Sequence, residues 1–113
     1  ELLVNYYNAA DCLILTSFHE GSPNVIKEAM ACGCPIVATN VGDISWVIGN
    51  TAGCYLVTFN PEDVSQKLSM ALSYAASMNR TNGRERIIEM GLSDKAIAKK
   101  MIEVYQNLIL EVN

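Results

Sequence analysis

Glu20-Gly21-Ser22-Pro23-Asn24-Val25-Ile26-Lys27-Glu28-Ala29-Met30-Ala31-Cys32-Gly33-Cys34-Pro35-Ile36-Val37-Ala38-Thr39 is the stretch that decides how this chain folds. It divides into a loop, a helix and a strand. Asn24 has the side chain of an N-cap, able to accept from a free backbone N–H at a helix start. The helix over residues 25–32 carries Ile26, Ala29, Met30 and Cys32 on one buried face, and Gly33 closes it as a C-cap. Pro35 opens a short strand over residues 35–39, at the first position, where a missing N–H is tolerated.

Working outward, Cys12-Leu13-Ile14-Leu15-Thr16 is apolar almost throughout, as a parallel strand covered on both faces would be. Residues 1–9 read as the end of a helix that Asp11 terminates. Downstream, residues 40–43 form a turn, residues 44–48 a short helix, and residues 54–57 a third strand. Asn60-Pro61-Glu62-Asp63 combines a cap residue, proline at the first helical position and acids in the positive first turn. That helix is expected to run to about Met78. A shorter one spans residues 83–91, and Ser93 caps a last helix to about Val112, with Ile97, Met101, Val104 and Leu108 on one face. Strands alternating with helices predict right-handed parallel crossovers and an α/β sheet of about three strands, with helices on both faces and a helical C-terminal end. There is no internal repeat, low-complexity segment or domain linker.

The bulk numbers narrow the function. The 113 residues suit one small domain, and half of them are apolar. Twelve acids outnumber eight bases, and the densest basic cluster is Arg80, Arg84 and Arg86, which reads as a solvated face. Nucleic-acid binding by phosphate neutralisation is therefore not expected. No apolar run approaches the roughly 20 residues of a membrane span. Cys12, Cys32, Cys34 and Cys54 each lie in an apolar segment without zinc-ligand spacing, so they are expected to be buried, reduced thiols of a cytoplasmic protein. The first residues read as mid-helix and show no signal peptide, which suggests a chain that continues upstream.

Ligands of open parallel sheets bind beyond the carboxyl ends of the strands. The loop after the first strand, residues 17–24, lies there and delivers Glu20, with Glu28 one turn into the following helix. Between them are Gly21, which permits close backbone approach, and a helix N-terminus suited to phosphate. A carboxylate accepts from two sugar hydroxyls at once. An acid, a phosphate-binding terminus and a second acid in that order suit a nucleotide-diphosphate sugar.

These residues resemble a known family. Two glutamates separated by seven residues, followed by Ala29-Met30-Ala31-Cys32-Gly33-Cys34-Pro35-Ile36-Val37-Ala38, are similar to the motif of retaining GT-B-fold glycosyltransferases (family 4-like, group 1). Asn8-Ala9-Ala10-Asp11-Cys12-Leu13-Ile14-Leu15-Thr16-Ser17, Gly53-Cys54-Tyr55-Leu56-Val57 and Asn60-Pro61-Glu62 extend the likeness over nearly the whole chain. The resemblance implies the C-terminal half of a Rossmann-like donor domain. Residues 1–113 would then be a partial domain, without its first strands, without the basic pair that grips the donor phosphates, and without the acceptor domain.

The resemblance also implies roles. Glu20 would bind hydroxyls of the donor sugar near the reacting carbon, as a nucleophile or, the favoured role, as an electrostatic and positioning group. The backbone of Gly21, Ser22, Pro23, Asn24 and Val25 would touch sugar and diphosphate, through N–H groups wherever the residue has one, and Glu28 would bind the ribose. His19 adjoins the site as a further substrate contact, with solvent exposure as its plainer reading. No metal or other cofactor is implied. The acceptor would be a sugar, lipid or glycan, and the longer protein would act in the cytoplasm, associated peripherally with the membrane's inner face. Asp43 and Trp46 stand where the family usually has a glycine and a glutamate, which implies weaker backbone contacts to phosphate from that turn.

The plainer readings of the other residues are structural: Trp46, Tyr6 and Tyr7 as packing residues and the methionines as core filler. A missing neighbour would leave the first strand's edge bare, which predicts self-association. Two competing functions are an epimerase or phosphorylase of the same fold, and a non-catalytic nucleotide-sugar-binding or protein-interaction module. The first is disfavoured by the spacing of the glutamates, the second by their retention.

Overall fold

The computed structural model describes residues 2–90, 102–104 and 106–107. Its elements are α1 (Leu2–Ala9), β1 (Leu13–Leu15), α2 (Asn24–Ala31), β2 (Ile36–Thr39), α3 (Ile44–Ile48), β3 (Cys54–Val57), α4 (Pro61–Met78) and α5 (Gly83–Glu89). The three strands form one parallel sheet in the order β1-β2-β3. Leu13 faces Ile36 in one pairing, and Ile36 faces Cys54 in the other. The α/β architecture expected from the sequence is therefore present. Most of the expected last helix lies outside the described residues; residues 102–104 and 106–107 within it are helical.

Alternation along β2 divides the core. Ile36 and Ala38 join Ile26, Ala29, Met30, Ile44, Val47, Ile48 and Ile87 on one side of the sheet, under α1, α2, α3 and α5. Val37 points to the other side, where it meets Val57 and Ala71 of α4. All four residues of β2 are buried, as a central parallel strand requires. Burying a large aliphatic side chain contributes about 1.5–3 kcal/mol. The fully buried isoleucines 26, 36, 44, 48 and 87 are thus the main apolar adhesive.

β1 differs from expectation. Leu13 and Leu15 pack on the larger core, but Ile14 is 45% exposed. Among the described residues α4 packs mainly over β2 and β3. Among the described residues no strand pairs with the outer edge of β1.

Helix ends follow local chemistry. The Asn60 side chain accepts from the Glu62 N–H at 2.9 Å, with Pro61 at the first helical position, as the sequence predicts. Gly33 just beyond α2 has φ +70°, the left-handed conformation that a helix stop favours. Asn24, however, is not the cap of α2. Pro23 occupies that place with an extended backbone (φ −68°, ψ 123°), and no side chain caps the helix. Asn24 is already inside the first turn, so its side chain is not placed to accept from the N–H groups ahead of it.

The arginines also depart from expectation. Arg80 donates to the backbone carbonyls of Tyr7, at 3.1 Å, and of Asn8. Arg86 donates to those of Val47 and Trp46, at 3.2 and 2.7 Å. Each satisfies the orphan carbonyls at the negative end of a helix, α1 or α3, instead of forming a solvated face. Tyr6 and Trp46 are exposed, so neither is a packing residue, and Met70 and Met78 are exposed while Met30 is core.

The four cysteines are free thiols, with Cys34 buried and the others half-buried. Desolvation is the main cause that raises all four, Cys12 and Cys32 to about 11 and Cys54 to about 12. Burial thus disfavours their reactive thiolate form at neutral pH. Among the described residues no helix is long and apolar enough to cross a membrane.

Candidate functional site

Parallel strands bring three loops to one edge of the sheet: the one after β1, the turn after β2, and the segment after β3. The loop after β1 is held by a relay from the sheet. Thr39, fully buried at the end of β2, donates through Oγ1 to the Ser17 carbonyl at 2.7 Å. Ser17 Oγ donates in turn to Glu20 Oε1 at 3.1 Å. Glu20 is half-buried, and its other oxygen has no partner among the described residues.

The turn after β2 locks onto the same loop. Gly42 has φ +55°, and a Cβ placed there would lie 2.2 Å from the Glu20 carbonyl oxygen and 2.3 Å from that of Gly21. Only glycine permits this approach. The Asp43 N–H donates to the Gly21 carbonyl at 2.9 Å. Phe18, His19, Glu20, Gly21, Val41 and Gly42 line an open cleft of about 570 Å³. His19 and Gly21 are exposed, and nothing lies within 4 Å of a Cβ built on Gly21. Phe18, 71% exposed, stacks on Phe59, 50% exposed, from the segment after β3, with ring centroids 4.6 Å apart. The two phenylalanines of the chain thus form an apolar rim beside the cleft.

The start of α2 is open. Pro23 is buried and supplies no side-chain cap. The N–H groups of exposed Asn24 and Val25 have no partner among the described residues, while that of Ile26 reaches the Pro23 carbonyl. Free N–H groups and the helix dipole make such a start favourable for an anion.

Glu28 is half-buried one turn further along α2. Its Oε2 accepts from the Tyr7 hydroxyl at 2.9 Å, and Oε1 has no partner among the described residues. Tyr7 is 6% exposed. Desolvation first, then the hydrogen bond and the charge of Glu28, push its hydroxyl far above the usual tyrosine range. These causes all favour the protonated hydroxyl, the form that donates to Glu28. From the sequence Tyr7 reads as a packing residue. It does pack, and it also fixes Glu28. No local pattern signals this, because the partners are 21 residues apart on different helices.

Ser22 is exposed and bridges two charged groups. Lys27 Nζ donates to its Oγ, which in turn donates to Asp43 Oδ2 at 2.5 Å. Lys27 is 7% exposed, unusually deep for a lysine. Asp43 Oδ1 is buried and has no hydrogen-bond partner. An orphaned buried acceptor costs about 1–3 kcal/mol. With its N–H held by the Gly21 carbonyl, Asp43 has no backbone donor left for a phosphate. Among the described residues no three His, Cys, Asp or Glu side chains converge as a metal site would need.

Two acids thus lie beside an uncapped helix start at the carboxyl edge of a three-stranded parallel α/β sheet, the edge at which open sheets of this kind bind ligands. The chain belongs to the glycosyl transferases group 1 family, whose model matches residues 1–74. It is similar to the MMP alpha-(1->4)-mannosyltransferase of Mycolicibacterium hassiacum, 34% identical over 110 residues, which cover 92% of this chain and 26% of that protein. It is also similar to the D-inositol 3-phosphate glycosyltransferase of Paenarthrobacter aurescens, 37% identical over 67 residues, or 58% of this chain and 16% of the relative. A third relative, the D-inositol 3-phosphate glycosyltransferase of Geodermatophilus obscurus, is 30% identical over 92 residues, 80% of this chain and 18% of its own length. The chain thus spans about a quarter or less of the curated relatives it matches. No solved structure matches it.

Proposed function

We propose that the protein containing this chain transfers a sugar from a nucleotide-diphosphate sugar to an acceptor, with retention of anomeric configuration, in glycan or polysaccharide biosynthesis. The observation that carries this reading is the placement of Glu20 and Glu28 on either side of the open N-terminus of α2.

In this reading Glu20, steadied by Ser17, binds hydroxyls of the donor sugar near the reacting carbon. Its charge stabilises positive character as the bond to the diphosphate breaks. The free N–H groups of Asn24 and Val25 receive the diphosphate, and Gly21 and Ser22 line its approach across the buried ring of Pro23. Glu28 accepts from the ribose hydroxyls through Oε1 while Tyr7 holds Oε2. His19, exposed beside Glu20 on the cleft wall, contacts substrate. The leaving phosphate assists the acceptor hydroxyl on the same face, so Glu20 is an electrostatic group and not a nucleophile. The reaction uses no essential metal, and the acceptor is a sugar, lipid or glycan.

The relatives are far longer than this chain, and the remaining donor contacts and the acceptor site belong to the rest of the protein. The 113 residues alone are therefore expected to turn over no nucleotide sugar. The test is turnover of a panel of nucleotide sugars by the full-length protein, with the product anomer read by NMR. The expected product keeps the donor's anomeric configuration. An inverted product would remove the retaining mechanism, and saturable binding without turnover would favour a non-catalytic binding module.

A further inference from the structure

Lys27 lies deep in α2, yet among the described residues no carboxylate pairs with it directly. Its ammonium reaches the Ser22 hydroxyl, which passes a hydrogen bond to Asp43. The serine thus connects a buried cation on α2 to a partly buried anion in the turn after β2. One Asp43 oxygen is left without a donor, so among the described residues Ser22 supplies the one side-chain hydrogen bond to that carboxylate, which stands at the N-cap position of α3 without capping it. The same aspartate holds the Gly21 carbonyl through its own N–H, beside the close approach of Gly42 to Glu20.

We propose that Lys27, Ser22 and Asp43 form a charge-balanced latch whose task is to keep an acid at the diphosphate-binding edge from excluding the donor. This rests on the donor-binding reading given above. A carboxylate next to an uncapped helix start is itself an anion suited to that start. Released from Ser22, Asp43 would compete with the diphosphate for the free N–H groups of Asn24 and Val25 and repel the donor's charge. Lys27 prevents this by drawing the carboxylate, through Ser22, away from the helix terminus. Lys27 and Asp43 are positioning residues and depend on each other: the lysine is needed only because the aspartate is there.

The dependence makes a sign-specific test in the full-length protein. Lys27→Met raises the donor KM about tenfold with little change in kcat, a coupling of ordinary size between contacting charged residues. Adding Asp43→Gly to Lys27→Met brings the donor KM back to within about twofold of the parent, because the competing anion is gone. Ser22→Ala, at an exposed position that does not threaten the fold, reproduces the Lys27→Met effect, and Ser22→Thr restores the parent value. Hydrogen exchange at the Asp43 amide reads the latch without turnover: it is slow in the parent and fast in Lys27→Met and Ser22→Ala.

A purely structural role would lower thermal stability in the variants and leave the donor KM unmoved, which overturns the proposal. A double variant as impaired in donor KM as Lys27→Met also overturns it. If the parent binds no nucleotide sugar, the donor reading fails. Asp43 amide exchange unaltered by Ser22→Ala would dispose of the latch independently.

Discussion

Replacing Gly42 with alanine drives a methyl group into the backbone of the Glu20 loop. The residue has φ +55°, a conformation that costs an L-amino acid about 1–2 kcal/mol. The new Cβ would lie 2.2 Å from the Glu20 carbonyl oxygen and 2.3 Å from that of Gly21. Both oxygens must retreat by about 1 Å to reach van der Waals contact. That movement also loosens the bond from the Asp43 N–H to the Gly21 carbonyl, worth about 0.5–1.5 kcal/mol. The total destabilisation is about 1.5–3.5 kcal/mol. Because Glu20 rides on the displaced backbone, a shift of about 1 Å is expected to lower turnover about 100-fold. Urea unfolding and donor kcat/KM of the full-length protein measure the two effects. Gly21→Ala is the control, since nothing lies within 4 Å of its added Cβ. It should leave stability unchanged and weaken only donor binding, through crowding of the ligand. If Gly42→Ala keeps both stability and turnover, the turn after β2 does not position Glu20 and the reasoning fails.

Other expectations follow from single contacts. Tyr7→Phe removes the donor to Glu28 Oε2, and is expected to cost about 1–3 kcal/mol of stability and raise the donor KM several-fold, read by thermal unfolding and steady-state kinetics. An unchanged KM would mean that Tyr7 serves packing only. The thiols Cys12, Cys32 and Cys54 rise from an ordinary 9.0 to about 11, 11 and 12, so the unfolded chain loses those protons first as pH climbs. Their contribution to stability is present below pH 9 and is lost as pH rises through 11 to 12. Alkylation of native protein near pH 8 should run about 100-fold slower than that of a free thiol, and fast labelling there would refute their burial. The isolated 113-residue chain is expected to self-associate through the open edge and face of β1, where Ile14 is exposed. Light scattering should then show a mass above one chain, reduced by Ile14→Lys; a single-chain mass at high concentration contradicts this.

The fold was legible where residues act on their nearest neighbours. Asn60-Pro61 set the start of α4, Gly33 the end of α2, and the apolar run around β2 its place at the centre of the sheet. Both glutamates of the candidate site were legible as well, because their spacing along one loop and one helix turn is itself local. What escaped depends on distant partners. Ile14 reads as fully buried until α4 is found, among the described residues, to lie mainly over β2 and β3. Arg80 and Arg86 read as solvated until they meet helix ends 73 and 39 residues away in sequence. Tyr7 and Glu28, like Ser22 and Asp43, are 21 residues apart, and no periodicity brings either pair together. Asn24 misled for another reason: its composition suits a cap, but the extended backbone of Pro23 takes that place one residue earlier.

The central claim is that the Glu20–Glu28 stretch holds a nucleotide-sugar donor. Calorimetric titration of the full-length protein with nucleotide sugars, beside the variant Glu28→Ala, tests it most directly. The account predicts saturable binding by the parent, weakened at least about tenfold in the variant by loss of hydrogen bonds to a charged group. Binding of equal strength in both proteins would contradict it and remove Glu28 from the donor site.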